Sequence, residues 1–134
     1  MMKNKKVFLG GTCNGSQWRA KIKQELNIDW FDPVVEDWTP ECQEEEIRQR
    51  KTCDYCLYTI TPAMTGFYSI AEVIDDSNKR PDKTILVVLD EDGDYSFNYS
   101  QLKSLQMVKR MVQDNGGTVW ETLEGAAEYM NTKK

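Results

Sequence analysis

Short apolar runs alternate along this chain with stretches of helical periodicity, and that alternation constrains its fold more than any other feature. Residues 5–10 read as a buried strand ending in Gly10 and Gly11. Trp18, Ile22 and Leu26 then recur at helical spacing, with Ser16 as the expected N-cap. Residues 30–35 fit a second strand, although Asp32 and Pro33 would interrupt it or mark an edge. Thr39-Pro40-Glu41 is a helix start: a capping hydroxyl, proline at the first helical position, then an acid on the positive end. That helix should run to about residue 51. Its early Glu44, Glu45 and Glu46 and late Arg48, Arg50 and Lys51 complement the helix dipole.

Residues 56–61 read as a third strand, stopped by Pro62, and residues 69–78 as a helix. Residues 84–89 form a continuous apolar run, as expected of a strand covered on both faces, and residues 90–94 a turn. Leu102, Leu105, Val108, Met111 and Val112 give a helical stripe over residues 101–113. Asn115-Gly116-Gly117 should end it, before a brief strand at 118–120 and a last helix at 123–130. Strands followed by helices in this order predict an α/β fold. The expected form is a flavodoxin-like or Rossmann-like three-layer sandwich around a five-stranded parallel sheet. The 134 residues contain no repeat or linker, so residues 1–134 are expected to form a single domain.

In such sheets a ligand binds beyond the carboxyl ends of the strands, near the point where strand order reverses. That singles out the loops at residues 10–16, 35–39 and 61–69. The chain has no histidine. This removes Ser-His-Asp and Cys-His catalytic sets and histidine-bearing zinc sites, and leaves acid–base chemistry to carboxylates, Tyr, Lys or Cys. The net charge of −5 argues against nucleic acid as a partner. Small nucleotides remain admissible, because backbone amides bind phosphate without Lys or Arg. No stretch approaches the length of a membrane span, so no membrane partner is expected. The apolar run after the basic N-terminal residues is too short for a signal peptide, and the expected compartment is the cytoplasm.

The first loop, Gly10-Gly11-Thr12-Cys13-Asn14-Gly15-Ser16, spaces Gly10 and Gly15 like the start of a phosphate-binding loop. Ser16-Gln17 stand where that motif requires Lys and then Ser or Thr. It is either a ligand loop or a tight strand-to-helix turn. The third loop leads to Glu72, expected in the first turn of its helix, where the dipole favours an ionised carboxylate. Such a group at the edge of a pocket is a competent nucleophile for glycosyl transfer. Ser69-x-x-Glu72 is equally the pattern of a capping box, in which Glu72 bonds its own backbone and does no chemistry. Cys53-x-x-Cys56 leads into a strand rather than opening a helix, and no second pair accompanies it. Buried free thiols are the expected reading. Glu44-Glu45-Glu46 reads as a solvated helix face, and the acids at 90–94 lack calcium-loop spacing. Of the tryptophans, Trp18, Trp30 and Trp120 are expected in the core. Trp38 lies beside Asp37 at a strand end, where a flat ring can stack on a base.

Three segments carry a family resemblance: Lys6-Val7-Phe8-Leu9-Gly10-Gly11-Thr12, Asp54-Tyr55-Cys56-Leu57-Tyr58-Thr59-Ile60-Thr61-Pro62, and the stretch from Gly66 to Glu72. In order and spacing they resemble the nucleoside 2-deoxyribosyltransferase family. The match is closer to its short deoxyribosyltransferase-like branch, which has a similar Gly-Gly-Thr start, a Trp-Arg pair (here Trp18-Arg19) and a Ser-Ile-Ala-Glu segment (here Ser69-Ile70-Ala71-Glu72). The resemblance implies a flavodoxin-like fold and a homo-oligomer with sites near subunit contacts. It implies cleavage of the N-glycosidic bond of a 2′-deoxynucleoside and transfer of the sugar to another base, with no metal or cofactor. The nucleophile maps onto Glu72, and an acid that contacts the base maps onto Glu46. Gly10, Gly11, Thr12, Gly66, Tyr68 and Ser69 shape the implied pocket, with Asp37 and Trp38 at its edge. The partner is a small-molecule nucleoside or nucleotide. Transferases of the family carry an Asp shortly before the nucleophile; six residues before Glu72 this chain has Gly66, and residues 61–71 contain no carboxylate. Protonation of the departing base then falls to Asp37 or water. The alternative function is binding or sensing of a nucleotide derivative without turnover.

Overall fold

The computed structural model describes residues 4–13 and 15–133, so Asn14 of the first loop and the residues before Asn4 lie outside the described residues. The chain runs β1 (Lys6–Gly11), α1 (Trp18–Glu25), β2 (Asp29–Phe31), α2 (Pro40–Thr52), β3 (Tyr55–Ile60) and α3 (Tyr68–Lys79). A 3-10 turn (Pro81–Lys83) leads into β4 (Thr84–Val88). Then follow β5 (Glu91–Asp92), β6 (Tyr95–Ser96), α4 (Tyr99–Asp114), β7 (Thr118–Trp120) and α5 (Leu123–Thr132).

Among the described residues, β2-β1-β3-β4-β7 form one five-stranded sheet in which every neighbouring pair is parallel. The fold is the flavodoxin-like three-layer sandwich. β3 and β4 are buried along their whole length, as central parallel strands covered on both faces must be. One core packs α1 and α5 against the sheet through Trp18, Ile22, Leu123, Ala126 and Met130, over Leu9, Leu57 and Val87. The other packs α3 and α4 through Val73, Leu105 and Val112, over Phe8, Tyr58 and Leu86. Strand order reverses between β1 and β3: β2 lies to one side of β1, and β3, β4 and β7 to the other.

The capping chemistry fixes the helix starts. Thr39 accepts a bond from the Cys42 amide with Pro40 at the first helical position, and Asn98 and Gln101 form a reciprocal capping box on α4. Four expectations need correction. Ser16 does not cap α1: the N-cap is Gln17, without a side-chain cap bond, and the Ser16 hydroxyl donates instead to Asp92 at 2.5 Å. β2 ends at Phe31 because Asp32 turns its carboxylate back onto the Val34 amide and Lys23, and Pro33 offers no N–H. Residues 90–94 are more than a turn: β5 and β6 pair antiparallel across Gly93, whose φ of +61° is left-handed. Trp30, expected in the core, is 42% exposed on β2 at the sheet edge. Among the described residues no helix is long and apolar enough to cross a membrane.

Candidate active site

A cavity of about 340 Å³ opens where strand order reverses, beyond the carboxyl ends of β1 and β3. This is where an open parallel sheet splits to leave a crevice, and the volume lies within the range of small-molecule sites. Gly10, Gly11 and Thr12 line it from β1, Glu46 from α2, Gly66 from the loop after β3, and Tyr68, Ser69 and Glu72 from α3. Eight residues singled out in the sequence therefore converge on one space.

Packing within the sheet dictates the two glycines. A Cβ on Gly10 would fall 2.6 Å from the Tyr58 ring, and one on Gly11, at φ +119°, 2.1 Å from the Thr59 carbonyl oxygen. They let β1 end flush against β3, and the open surface above them is a consequence. Thr12 completes the seam: its amide donates to the Thr59 carbonyl at 2.9 Å, and its hydroxyl accepts from the Thr61 amide at 2.9 Å. Asp92 ties two loops together, accepting from Thr61 Oγ1 at 2.6 Å and from Ser16.

Sequence reasoning did not place Arg19, Cys13 and Pro33 in the cavity, yet all three line it. The Arg19 guanidinium is buried and donates to the carbonyls of Leu9 at 3.1 Å and Thr12 at 2.6 Å. It therefore closes the exposed backbone end of β1. Burial holds its pKa below the ordinary arginine value, against the opposing pull of Cys13 and Asp32. The Trp18-Arg19 pair was its only sequence signal, and nothing local tells that a basic residue at the start of a helix turns inward.

Glu72 is not a cap. Helix α3 begins one residue earlier than expected, at Tyr68, with Phe67 as an N-cap that makes no side-chain bond. The Ser69–Glu72 capping box does not form. Glu72 is consequently the fifth residue of the helix and lies beyond its first turn, where the dipole acts most weakly. Its side chain is 13% exposed. Burial pushes its carboxyl up to about 7, Arg50 pulls it down, and Glu46, Asp76 and Asp75 push it further up. The expectation that places Glu72 in the first turn is thus corrected, and burial rather than the helix dipole leads in setting its proton affinity.

Beneath Glu72 lies a buried charge cluster. Arg50 of α2 donates from Nε to Asp76 Oδ2 at 3.2 Å, and from Nη2 to Asp76 Oδ1 and to Asp75 Oδ2, each at 3.0 Å. Its Nη1 stands 3.6 Å from Glu72 Oε2. Asp76 is fully buried and also accepts from the Tyr58 hydroxyl and the Arg80 guanidinium. Burial alone would lower the Arg50 pKa, but the bond to Asp76 together with the electrostatic pull of Tyr58, Asp76 and Glu72 more than offsets that and keeps the guanidinium charged. Burial and the Asp76 charge push the Tyr58 phenol far up, so it serves as a donor and does not ionise.

Asp37 and Trp38 do not line the cavity, and both are exposed. Trp38 reaches its wall indirectly, through an indole N–H donated to Glu46 Oε2 at 3.3 Å. Glu46 therefore departs from the fully solvated face expected for its acidic run. The cysteines are free: Cys53 and Cys56 are buried, at the opposite end of β3 from the cavity.

Residues 4–91 match a family model described as nucleoside 2-deoxyribosyltransferase like. The match contains every residue that lines the cavity and the whole of its supporting charge cluster. No curated protein and no solved structure matches the chain.

Proposed function

The chain belongs to the nucleoside 2-deoxyribosyltransferase-like family, and from that premise we propose that it cleaves the N-glycosidic bond of nucleosides or nucleotides through Glu72. The observation that carries this reading is a carboxyl group on the wall of a crevice at the strand ends, released from any capping role and set 3.6 Å from a buried guanidinium.

In this reading an ionised Glu72 oxygen attacks the anomeric carbon. The C1′–N bond breaks, its electron pair leaves with the base, and the base gains a proton. An incoming base or water then attacks C1′, and the sugar–oxygen bond breaks to restore the carboxylate. Gly10, Gly11, Thr12, Gly66 and Ser69 give the sugar a low wall, and Tyr68 an aromatic edge. Glu46, held by Trp38, is the other carboxylate among the described residues that line the cavity and faces the base. Asp37 stands off that wall, so the departing base takes its proton from water.

The missing carboxylate in residues 61–71 favours a second reading, in which the site binds a nucleotide derivative without turnover. Incubation with a panel of nucleosides and nucleotides, with free base measured by chromatography, separates the two. Free base that disappears with Glu72→Ala supports the enzyme. A rise in melting temperature with the ligand recovered intact supports the binder. Exposed Phe67, Tyr68 and Tyr99, at 72%, 65% and 79%, support assembly into a homo-oligomer, which light scattering tests. Free thiols suit a cytoplasmic protein.

A further inference from the structure

We propose that Arg50 is a positioning residue for Glu72: a guanidinium clamped from behind by Asp75 and Asp76 that keeps a fixed positive charge beside the nucleophile without bonding to it. The proposal rests on the reading of Glu72 as nucleophile and adds a residue that no motif in the sequence marks.

The geometry is asymmetric. Asp75 and Asp76 take three hydrogen bonds from Arg50 at 3.0–3.2 Å, whereas the Glu72 oxygen stands at 3.6 Å, beyond hydrogen-bond distance. A carboxylate in a direct bidentate pair with arginine has its lone pairs committed and is a poor nucleophile. At 3.6 Å the charge still acts through a site with little water, since the Arg50 and Glu72 side chains are only 9% and 13% exposed. Asp76 is itself fixed by Tyr58 from β3 and Arg80 from the end of α3. Arg50 therefore does not depend on Glu72 to hold its place.

That independence matters in the covalent cycle. When a Glu72 oxygen bonds to C1′, the carboxylate charge is lost, and an arginine anchored by Glu72 alone would be free to move. Here it stays. When water or a second base attacks C1′, the electron pair of the sugar–oxygen bond returns to Glu72, and the charge re-forms beside a guanidinium already in position.

The charged groups that act on Glu72 are Glu46 and Arg50 from α2 and Asp75 and Asp76 from its own helix, while Arg19, Cys13 and Tyr68 line the same cavity. Of these, Arg50 is the group that opposes burial in setting its proton affinity, and the carboxylates act the other way. Loss of Arg50 must then raise the Glu72 midpoint. Mere loosening of the structure would lower it, toward the value of a solvated glutamate.

The test is a titration of Glu72 by NMR, with the full chain labelled with 13C at glutamate carboxyls and 15N at arginine. Arg50→Gln should move the Glu72 midpoint up by about one unit or more, and Arg50→Lys should restore most of it. Asp76→Asn, which frees Arg50 to close on Glu72, should move it down. A fall in both Arg50→Gln and Asp76→Asn, or no movement in Arg50→Gln, overturns the proposal. The unsubstituted protein supplies a readout that does not require the Arg50 variant to fold. Arg50 guanidinium nitrogens should shift with the same midpoint as Glu72, and Glu72→Gln should abolish that shift; a flat Arg50 signal overturns the proposal. None of these readings needs turnover. Coupled titration without free-base release would sink the glycosidic function and leave the positioning intact.

Discussion

Titratable side chains lie near both ends of β3, the thiols of Cys53 and Cys56 at its amino end and Glu72 of α3 beyond its carboxyl end, and burial acts on both with opposite results. At the amino end Cys53 and Cys56 are buried, and burial pushes both thiols up. Their sulfur hydrogens turn to the Gln49 side chain and the Arg50 carbonyl, each at 3.3 Å. A thiol raised further above its ordinary range forms no thiolate at neutral pH and is silent. At the carboxyl end the same desolvation lifts Glu72 from 4.5 to about 7, into the range where it exchanges protons under physiological conditions. The same penalty silences one group and tunes the other, because the two start on opposite sides of neutrality. Position on the sheet supplies the rest: the carboxyl end opens into the crevice at the strand-order reversal, and Glu72 lines it.

The largest effect should come from Glu72→Gln, which keeps the shape of the side chain and removes the nucleophile. Turnover of any substrate found should fall on the order of a thousand-fold or more, with circular dichroism unchanged. Retained turnover would dissolve the distinction between the two ends of the strand.

Next in size is the cluster under Glu72. Asp76→Ala leaves the buried Arg50 and the half-buried Arg80 without their shared carboxylate, and should lower the unfolding free energy in urea by about 3–5 kcal/mol. A loss below about 1 kcal/mol would show that the cluster is not fixed as described.

Stability should also depend on pH through Glu72. Because the folded-state value of Glu72 lies above its unfolded value, the folded state holds the extra proton between 4.5 and about 7. Its contribution to stability is therefore present below about 4.5 and is lost as pH rises through about 7, on the order of 3 kcal/mol in all. Glu72→Gln should remove that slope, so that the variant melts at a higher temperature than the parent at pH 8. Parallel melting curves across this range would contradict it.

The smallest effect sharpens the comparison from the other side. At pH 8 an aromatic disulfide reagent should label exposed Cys13 quickly and Cys53 and Cys56 only after unfolding. Replacing Cys53 with Ala should leave turnover unchanged.

Much of the fold was legible because its signals are local. Pro40 after Thr39 set the start of α2, Pro62 ended β3, and the continuous apolar run of β4 announced a strand covered on both faces. The rule that parallel sheets bind ligands at their strand ends pointed to three loops, of which those at 10–16 and 61–69 supply lining residues and that at 35–39 does not. What escaped depends on contacts distant in sequence. Arg50 looked like the basic end of a helix, yet its partners come 25 and 26 residues later. A trace was present: Asp76 falls three residues after Val73 and directly before Ser77 on the buried face of α3, and a buried acid demands a cation. The glycines answer to packing as well as to the cavity: Gly10 and Gly11 line it, and the Tyr58 ring and the Thr59 carbonyl leave no room for a side chain at either. The capping pattern at Ser69 failed by one residue, because α3 starts at Tyr68, and that shift leaves Glu72 free to face the cavity.

The central claim is that Glu72 forms a covalent bond to the sugar, and trapping tests it most directly. The protein is incubated with 2′-fluoro-arabino nucleosides that carry different bases, and intact mass and peptide mapping follow. One fluorosugar per chain should appear on the peptide that contains Glu72, with none on Glu72→Gln. Free base released with no adduct at any time point, or an adduct on another residue, would contradict it.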